Sequence, residues 1–184
     1  MRQSMQSQSS KKDGFCVGRR AFLLGAGATV TALMLPLGGR MCRVSAATKA
    51  YPRKVVGKLS ALKVGEPQPF LYPIDDPVYC NSLLVKLGVP AGGGVGPQGD
   101  VVGFNTLCPH WGGLLAASYK QEHQVLGPCP THLSTFDLTR HGMVVAGHST
   151  ESLPQVLLEA QGDEIVAVGV LGLIFGHAEN PGGA

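Results

Sequence analysis

Two short segments decide how this sequence is to be read: CPHWGG at residues 108–113 and GPCPTHLS at residues 127–134. Each contains one cysteine and one histidine, in the pattern Cys-x-His, then eighteen residues, then Cys-x-x-His. Each follows a short β-like run and is rich in proline and glycine, which is typical of loops at the end of a sheet. The spacing therefore predicts two loops that bring Cys108, His110, Cys129 and His132 together.

Two thiolates and two imidazoles are the ligands of a Rieske [2Fe–2S] centre, in which two cysteines bind one iron and two histidines bind the other. Neutral imidazoles in place of thiolates remove negative charge, so the cluster accepts an electron more easily. We expect each loop to give one ligand to each iron. The predicted metal ligands are Cys108, His110, Cys129 and His132, and the site would transfer single electrons without a catalytic residue.

Three other interpretations of the four residues stay open. The cysteines could be buried packing residues and the histidines unrelated polar residues of loops. The four could form a structural Cys₂His₂ zinc site, although this spacing is not common among zinc fingers. A disulfide could join Cys108 and Cys129 in an oxidising compartment, but it would leave two histidines at matching offsets unexplained.

The body of the chain, residues 48–184, alternates short β-like runs with turns rich in glycine and proline. This pattern predicts an all-β fold, either an antiparallel sandwich or a small barrel. The expected strands are residues 54–59, 69–72, 82–87, 101–105, 124–126, 135–137, 143–146, 156–159 and 165–170. Residues 114–121 could form a short helix. The remaining cysteine of the body, Cys80, is expected to be a buried small apolar residue.

Charge is distributed unevenly along the chain. The formal net charge is +3, but residues 1–47 hold seven of the fifteen Lys and Arg residues and one of the twelve acidic residues. The body is therefore mildly acidic. Because a nucleic-acid-binding domain needs a basic face, we expect no nucleic-acid partner.

The first 47 residues are ordered like an export signal. A polar and basic stretch leads to GRRAFLL at residues 18–24, an apolar stretch covers residues 21–37, and small residues follow at 44–47. Paired arginines before Phe and Leu are typical of the twin-arginine route, which exports folded proteins. We expect a periplasmic protein cleaved near Ala47. The apolar stretch is short for a membrane span, so membrane contact would come only through an uncleaved leader.

The two segments resemble the cluster-binding boxes of Rieske proteins, and the resemblance covers about residues 55–175. It implies a Rieske-type antiparallel β-sandwich with a small cluster-binding subdomain on a larger base. Many members have a further cysteine in each box, and these two cysteines join the loops by a disulfide. The matching positions here are Gly113 and Thr131, so we expect no disulfide between the loops.

Further segments resemble the small subunit of arsenite oxidase; they lie at residues 85–97, 136–138, 150–158 and 167–176. This resemblance implies a large molybdopterin subunit with a [3Fe–4S] cluster as the partner. It also implies a soluble cytochrome c or a cupredoxin as the electron acceptor. Arsenite is oxidised at molybdenum in that family, so this chain would be the electron-transfer subunit of an oxidoreductase.

Two further positions bear on the reduction potential that the resemblance implies. High-potential Rieske proteins carry a serine that donates a hydrogen bond to a bridging sulfide and, two residues later, a tyrosine that donates to a cysteine sulfur. Ser134 matches the serine and is a predicted cofactor-binding residue, whereas Phe136 replaces the tyrosine. Because hydrogen bonds to sulfur stabilise the reduced cluster, we expect a potential below those of quinol-oxidising relatives.

Two other protein classes remain as alternatives. The Rieske subunit of a quinol–cytochrome c reductase would normally keep a membrane anchor, the loop disulfide and the tyrosine. A zinc-stabilised binding module belongs to a different class. The other histidines lack partner spacing and are expected at the surface or in turns: His123, His141, His148 and His177. Trp111, directly after a predicted ligand, would either shield the cluster or contact a partner.

Overall fold

The computed structural model describes residues 50–182, so the predicted signal segment at residues 1–47 lies outside the described residues. Neighbouring strands in this part of the chain are all antiparallel. The strands are β1 (Lys54–Lys58), β2 (Gln68–Leu71), β3 (Asn81–Lys86), β4 (Val101–Asn105), β5 (Tyr119–Lys120), β6 (Val125–Leu126), β7 (Thr135–Asp137), β8 (Met143–Ala146), β9 (Gln155–Gln161) and β10 (Glu164–Leu171). Short 3₁₀ helices cover Leu59–Ala61 and Gln121–His123. The predicted all-β fold is confirmed.

The strands form two sheets of different size. A six-stranded sheet has the order β1-β10-β9-β4-β3-β2, and a four-stranded sheet has the order β5-β6-β7-β8. The small sheet is built from the chain between β4 and β9, which is also the stretch that contains both predicted loops. This division matches the expected small subdomain on a larger base.

The central strands of the large sheet are covered on both faces. Because successive side chains of a strand point to opposite faces, Leu83, Val85 and Phe104 contribute to one core and Leu84 and Val101 to the other. All five residues of β4 are buried. A strand covered on both sides is held rigidly, and β4 leads directly into the first predicted loop.

The predicted cysteines belong to the core that joins the two sheets. Cys108 and Cys129 are clustered there with Leu115, Leu126 and Phe136. Both loops therefore start from the same packed layer, which fixes their bases relative to one another.

Most predicted strands are confirmed to within two residues, but the short helix suggested at residues 114–121 is wrong. Leu114 instead pairs with Leu107 in an isolated bridge, and Tyr119 pairs with Leu126 as part of β5. Burial of Leu115 in the core and pairing with β6 outweigh the local helix propensity of this segment. No helix within residues 50–182 is long and apolar enough to cross a membrane.

Candidate metal centre

The first loop, residues 108–113, is a tight turn closed by backbone hydrogen bonds. The N–H of Cys108 donates to the carbonyl of Gly113 at 2.9 Å, and the N–H of Gly112 donates to the carbonyl of Cys108 at 2.8 Å. Gly112 has φ = 67°, in the left-handed region that glycine adopts without strain. Glycine four residues after the cysteine therefore suits this turn, because it adopts the required left-handed conformation without strain.

The second loop, residues 127–134, repeats this pattern. The N–H of Cys129 donates to the carbonyl of Ser134 at 2.8 Å, and the N–H of Leu133 donates to the carbonyl of Cys129 at 2.9 Å. Leu133 lies four residues after the cysteine, as Gly112 does, and has φ = 61°. The two loops are thus copies of one motif, in which the second contains a strained leucine where the first has glycine.

The thiols of the two loops are buried and lie next to each other. Cys108 is 1% exposed and Cys129 is 2% exposed, and their sulfurs are hydrogen-bonding partners. Burial raises the pKa of Cys108 above its usual value, although the N–H groups of His110 and Trp111 oppose the shift. Burial also acts to raise the pKa of Cys129. There the N–H groups of Thr131 and His132, with further side-chain hydrogen bonds, outweigh burial and bring the pKa below its usual value.

Each sulfur therefore receives hydrogen bonds from the N–H groups two and three residues after its own cysteine. This is the same local geometry in both loops. Amide donors of this kind stabilise a thiolate, which is the form of cysteine that binds metal. They also stabilise added negative charge on an iron–sulfur cluster.

The rings of the two predicted imidazole ligands lie next to each other. The ring centroids of His110 and His132 are 4.8 Å apart, with an angle of 76° between the ring planes. His110 is partly buried and His132 is exposed. Loss of solvation, together with the nearby rings of His132 and His148, holds the pKa of His110 below its usual value. A low pKa favours the neutral imidazole that metals require.

Ser134, the last residue of the second loop, is fully buried, and its hydroxyl oxygen accepts two hydrogen bonds. The N–H of His148 donates at 3.2 Å and the N–H of Ser149 donates at 3.0 Å. These donors occupy both lone pairs of the oxygen. The hydroxyl hydrogen of Ser134 therefore remains available to be donated.

The candidate donor set contains two thiols and two imidazoles, one of each from either loop. A Rieske cluster has two protein ligands on each iron, cysteines on one and histidines on the other. The four residues therefore fit such a cluster in number and in chemical type. Among residues 50–182, no group of three or more His, Cys, Asp or Glu side chains is arranged to hold a single metal ion.

Disulfides do not form within the described part of the chain, where Cys80, Cys108 and Cys129 are free. Gly113 and Thr131, the positions that match the additional cysteines of other Rieske proteins, face each other across the loops: a methyl group on Gly113 would lie 2.8 Å from Oγ1 of Thr131. Cys80 is fully buried, as predicted, and burial raises the pKa of its thiol.

The other histidines fall into different environments. His123 is at the surface, as expected, and Nδ1 of His141 lies 2.7 Å from Oε1 of the buried Gln155. His148 is exposed in a turn, as expected, but its ring also lies near the predicted ligands, with its centroid 6.2 Å from that of His110 and 6.1 Å from that of His132. The sequence spacing of His148 did not indicate this proximity, because it arises from the turn at Gly147, which folds the chain back onto the second loop.

Trp111 is 69% exposed and its ring centroid is 6.4 Å from that of His132. The indole therefore lies at the rim of the site and presents most of its surface outward. Phe136 is fully buried in the same core cluster as Cys129. No hydroxyl reaches the cysteine sulfurs from that position.

No protein-family model matches the chain. Its structure is similar to the soluble domain of the Rieske protein II (soxF) from Sulfolobus acidocaldarius, with a TM-score of 0.61 and 23% identity over 72% of this chain and 85% of that one. The sequence is also 35% identical over 71 residues, 34% of this chain, to the cytochrome bc1 complex Rieske iron-sulfur subunit of Streptomyces lividans. The fold is that of a Rieske-type protein, a class whose cofactor is a [2Fe–2S] cluster.

Two relatives are similar over nearly the whole chain. The iodate reductase subunit IdrB of Denitromonas iodatirespirans is 58% identical over 168 residues, 91% of this chain and 89% of that protein. The iodate reductase subunit IdrB of Pseudomonas sp. (strain SCT) is 56% identical over 88% of this chain. The chain belongs to the family of these IdrB subunits.

Proposed function

We propose that this chain is the electron-transfer subunit of an oxyanion oxidoreductase of the iodate reductase type. The observation that carries the proposal is the identity of 58% over 91% of the chain with an iodate reductase subunit. The structure supplies a motif suited to electron transfer rather than to substrate chemistry. Its two thiols are buried, one imidazole is exposed, and a single Rieske cluster would use all four donors.

We propose that Cys108 and Cys129 bind one iron and His110 and His132 bind the other, with Ser134 donating to a bridging sulfide. The support is the repeated loop motif, which places equivalent side chains of both loops side by side. The cluster supplies reversible one-electron chemistry when bound. The chain contributes the amide donors at both sulfurs, and it exposes His132 at the surface where an electron can enter or leave.

The reaction of the complex sets the direction of electron flow. Reduction of an oxyanion such as iodate consumes electrons, so this chain would receive them from a soluble cytochrome c or a cupredoxin. It would then deliver them to a large catalytic subunit with a molybdopterin and a [3Fe–4S] cluster. Phe136, in place of a tyrosine, offers no hydroxyl to a cysteine sulfur, which supports a reduction potential below those of quinol-oxidising relatives.

A second candidate is the small subunit of an arsenite oxidase, because residues 85–97, 136–138, 150–158 and 167–176 resemble that family. Electrons would then flow in the opposite direction, from the catalytic subunit through this chain to the soluble carrier. The partner, the cluster and its ligands would be the same. Only the substrate and the direction of transfer differ between the two candidates.

One experiment separates the two candidates on the same preparation. The complex would be purified with its large subunit, and the visible absorbance of the Rieske cluster followed without air. Iodate should oxidise a cluster that has been reduced beforehand, whereas arsenite should leave an oxidised cluster unchanged. Reduction of the cluster by arsenite, with no response to iodate, would instead establish the arsenite oxidase function.

We also propose that the chain acts in the periplasm after twin-arginine export. The support is the order of charged, apolar and small residues within residues 1–47 and the paired Arg19 and Arg20. Replacing both arginines with lysine keeps the charge and tests the signal itself. The cluster-loaded protein should then remain in the cytoplasmic fraction; unchanged export would contradict this route.

A further inference from the structure

The two loops are supported from outside by different parts of the chain. Behind the second loop lie residues 147–149, whose N–H groups at His148 and Ser149 donate to Ser134. Gly147 lies so close to the backbone of Ser134 that any side chain there would overlap it. The second loop is therefore supported by a short segment that directly follows β8.

Support for the first loop comes from the C-terminal segment, residues 172–180. The ring of Phe175 lies against Gly112, so closely that a methyl group on this glycine would overlap the ring. Gly112 is the residue whose N–H closes the turn on the carbonyl of Cys108. Phe175 therefore packs against the residue whose hydrogen bond closes the first loop.

The C-terminal segment is held in this position by Asn180. Its buried side chain accepts the N–H of Ile174 at 2.8 Å and donates to the carbonyl of Gly172 at 2.7 Å. It also donates to the hydroxyl of Tyr51 at 3.1 Å. Ile174 is 1% exposed and anchors the segment in the protein. These bonds close the segment into a loop that presents Phe175 to the cluster-binding subdomain.

The contact between the segment and the first loop is narrow. A cavity of about 300 Å³ lies beside it, with Pro109 and His110 on one side and Leu173, Ile174 and His177 on the other. This flank of His110 is therefore not filled by packed side chains. Loss of the Phe175 ring would enlarge the gap and leave the turn at Gly112 without its neighbour.

We propose that Phe175 is a positioning residue that braces the first loop and keeps Cys108 and His110 in register with the second loop. Positions 113 and 131 hold glycine and threonine, so no disulfide links the loops there. The core fixes the bases of the two loops. Beyond the bases, the register of the ligands depends on packing against each loop from outside, and Phe175 supplies that packing for the first loop. This inference concerns retention of the cluster and is independent of the substrate and of the partner subunit.

Three variants of the full, cluster-loaded chain test the proposal. Phe175→Ala removes the ring, and Phe175→Tyr keeps it. Phe70→Ala is the matched control, because Phe70 is also a partly buried phenylalanine but packs in the second core, away from the loops. The rate of cluster loss to a chelator is followed by visible absorbance, well below the unfolding temperature. The electron paramagnetic resonance (EPR) line shape of the reduced cluster is recorded for each variant.

Phe175→Ala should lose its cluster on the order of tenfold faster than the parent chain and should show an altered line shape. Phe175→Tyr should behave as the parent. Phe70→Ala should lower the unfolding temperature without accelerating cluster loss. A parental rate in Phe175→Ala, or equal acceleration in Phe70→Ala, would overturn the proposal, because the second result would mean that only general stability matters.

Asn180→Ala provides a test that leaves both loops and the Phe175 ring unaltered. It removes the hydrogen bonds that close the C-terminal segment, so cluster loss should again be accelerated if Phe175 acts through its placement. This variant carries the test if Phe175→Ala does not accumulate as folded protein. Cluster loss at the parental rate in Asn180→Ala would contradict the proposed brace.

Discussion

Gly113 and Thr131 lie opposite each other at the spacing of a disulfide: a methyl group on Gly113 would be 3.7 Å from Cβ of Thr131. Cβ atoms of bonded cysteines are about 3.8 Å apart. The structure therefore preserves the position of a cross-link that the sequence lacks. The residues inferred from resemblance to be the missing partners are neighbours in space, on two loops that share one hydrogen-bonding pattern.

The double variant Gly113→Cys/Thr131→Cys should consequently form a disulfide between the loops. The same methyl position is 2.6 Å from Sγ of Cys129, so that side chain must shift slightly and some strain remains. Closing a loop of this length stabilises by at most about 3 kcal/mol in the chain-entropy model. Thiol titration and the rate of cluster loss are the measurements. After oxidation, the double variant should have two fewer free thiols than it has when reduced, and it should lose its cluster more slowly than either single variant. If the two introduced thiols stay free, the result would contradict the geometry.

Ser134→Ala should lower the reduction potential by about 50 mV, the equivalent of one hydrogen bond of about 1 kcal/mol for a one-electron couple. It should also reduce stability, because the N–H groups of His148 and Ser149 lose their acceptor. Ser149→Ala is the control, since Oγ of Ser149 donates to the carbonyl of Glu151 instead. Redox titration followed by visible absorbance distinguishes the two variants, since only Ser134→Ala should change the reduction potential. An unchanged potential in Ser134→Ala would remove Ser134 from the cluster-binding residues.

Phe136→Tyr should act in the opposite direction. Phe136 is in the same core cluster as Cys129, and a hydroxyl added there would find the cysteine sulfur as its acceptor. The reduction potential should rise by about 50 mV, measured against the parent under identical conditions. A fall or no change, with the cluster intact, would show that the residue at this position does not tune the sulfur.

Substitutions of Leu133 test whether the second loop requires a left-handed backbone conformation at this position. Its φ of 61° is costly for a bulky side chain, and the residue is 64% exposed, so little packing compensates. Leu133→Asn should be tolerated, because asparagine adopts this conformation readily, whereas Leu133→Val should destabilise by about 1–2 kcal/mol. Chemical unfolding of the two variants provides the comparison. Equal stability would mean that the loop does not require the left-handed conformation.

Much of the site was predictable from sequence because its chemistry is local. Cys108, His110, Cys129 and His132 lie in two short segments whose spacing places one donor of each type on each loop. The strands were recognisable as apolar runs between turn residues. The burial of β4 on both faces agrees with its largely apolar sequence, VVGFN, whose one polar side chain, Asn105, is hydrogen-bonded.

The remainder depended on contacts between residues that are distant in the chain. Phe175 reaches Gly112 across 63 positions, and His148 approaches both imidazoles only because the chain turns at Gly147. Tyr119 joins a strand through a partner in β6, although its own neighbours favour a helix. Nothing in the local pattern of these residues specifies such partners, since they arise from packing of the completed fold.

The central claim is that the paired loops hold a Rieske [2Fe–2S] cluster, and EPR spectroscopy of the reduced full chain tests it most directly. The account predicts a rhombic signal integrating to one unpaired electron per chain, with two irons per chain and visible absorbance that is bleached on reduction. It also predicts loss of that signal in Cys108→Ser and His132→Ala. A colourless protein without the signal, containing one zinc per chain, would contradict the claim and identify the site as a structural Cys₂His₂ centre.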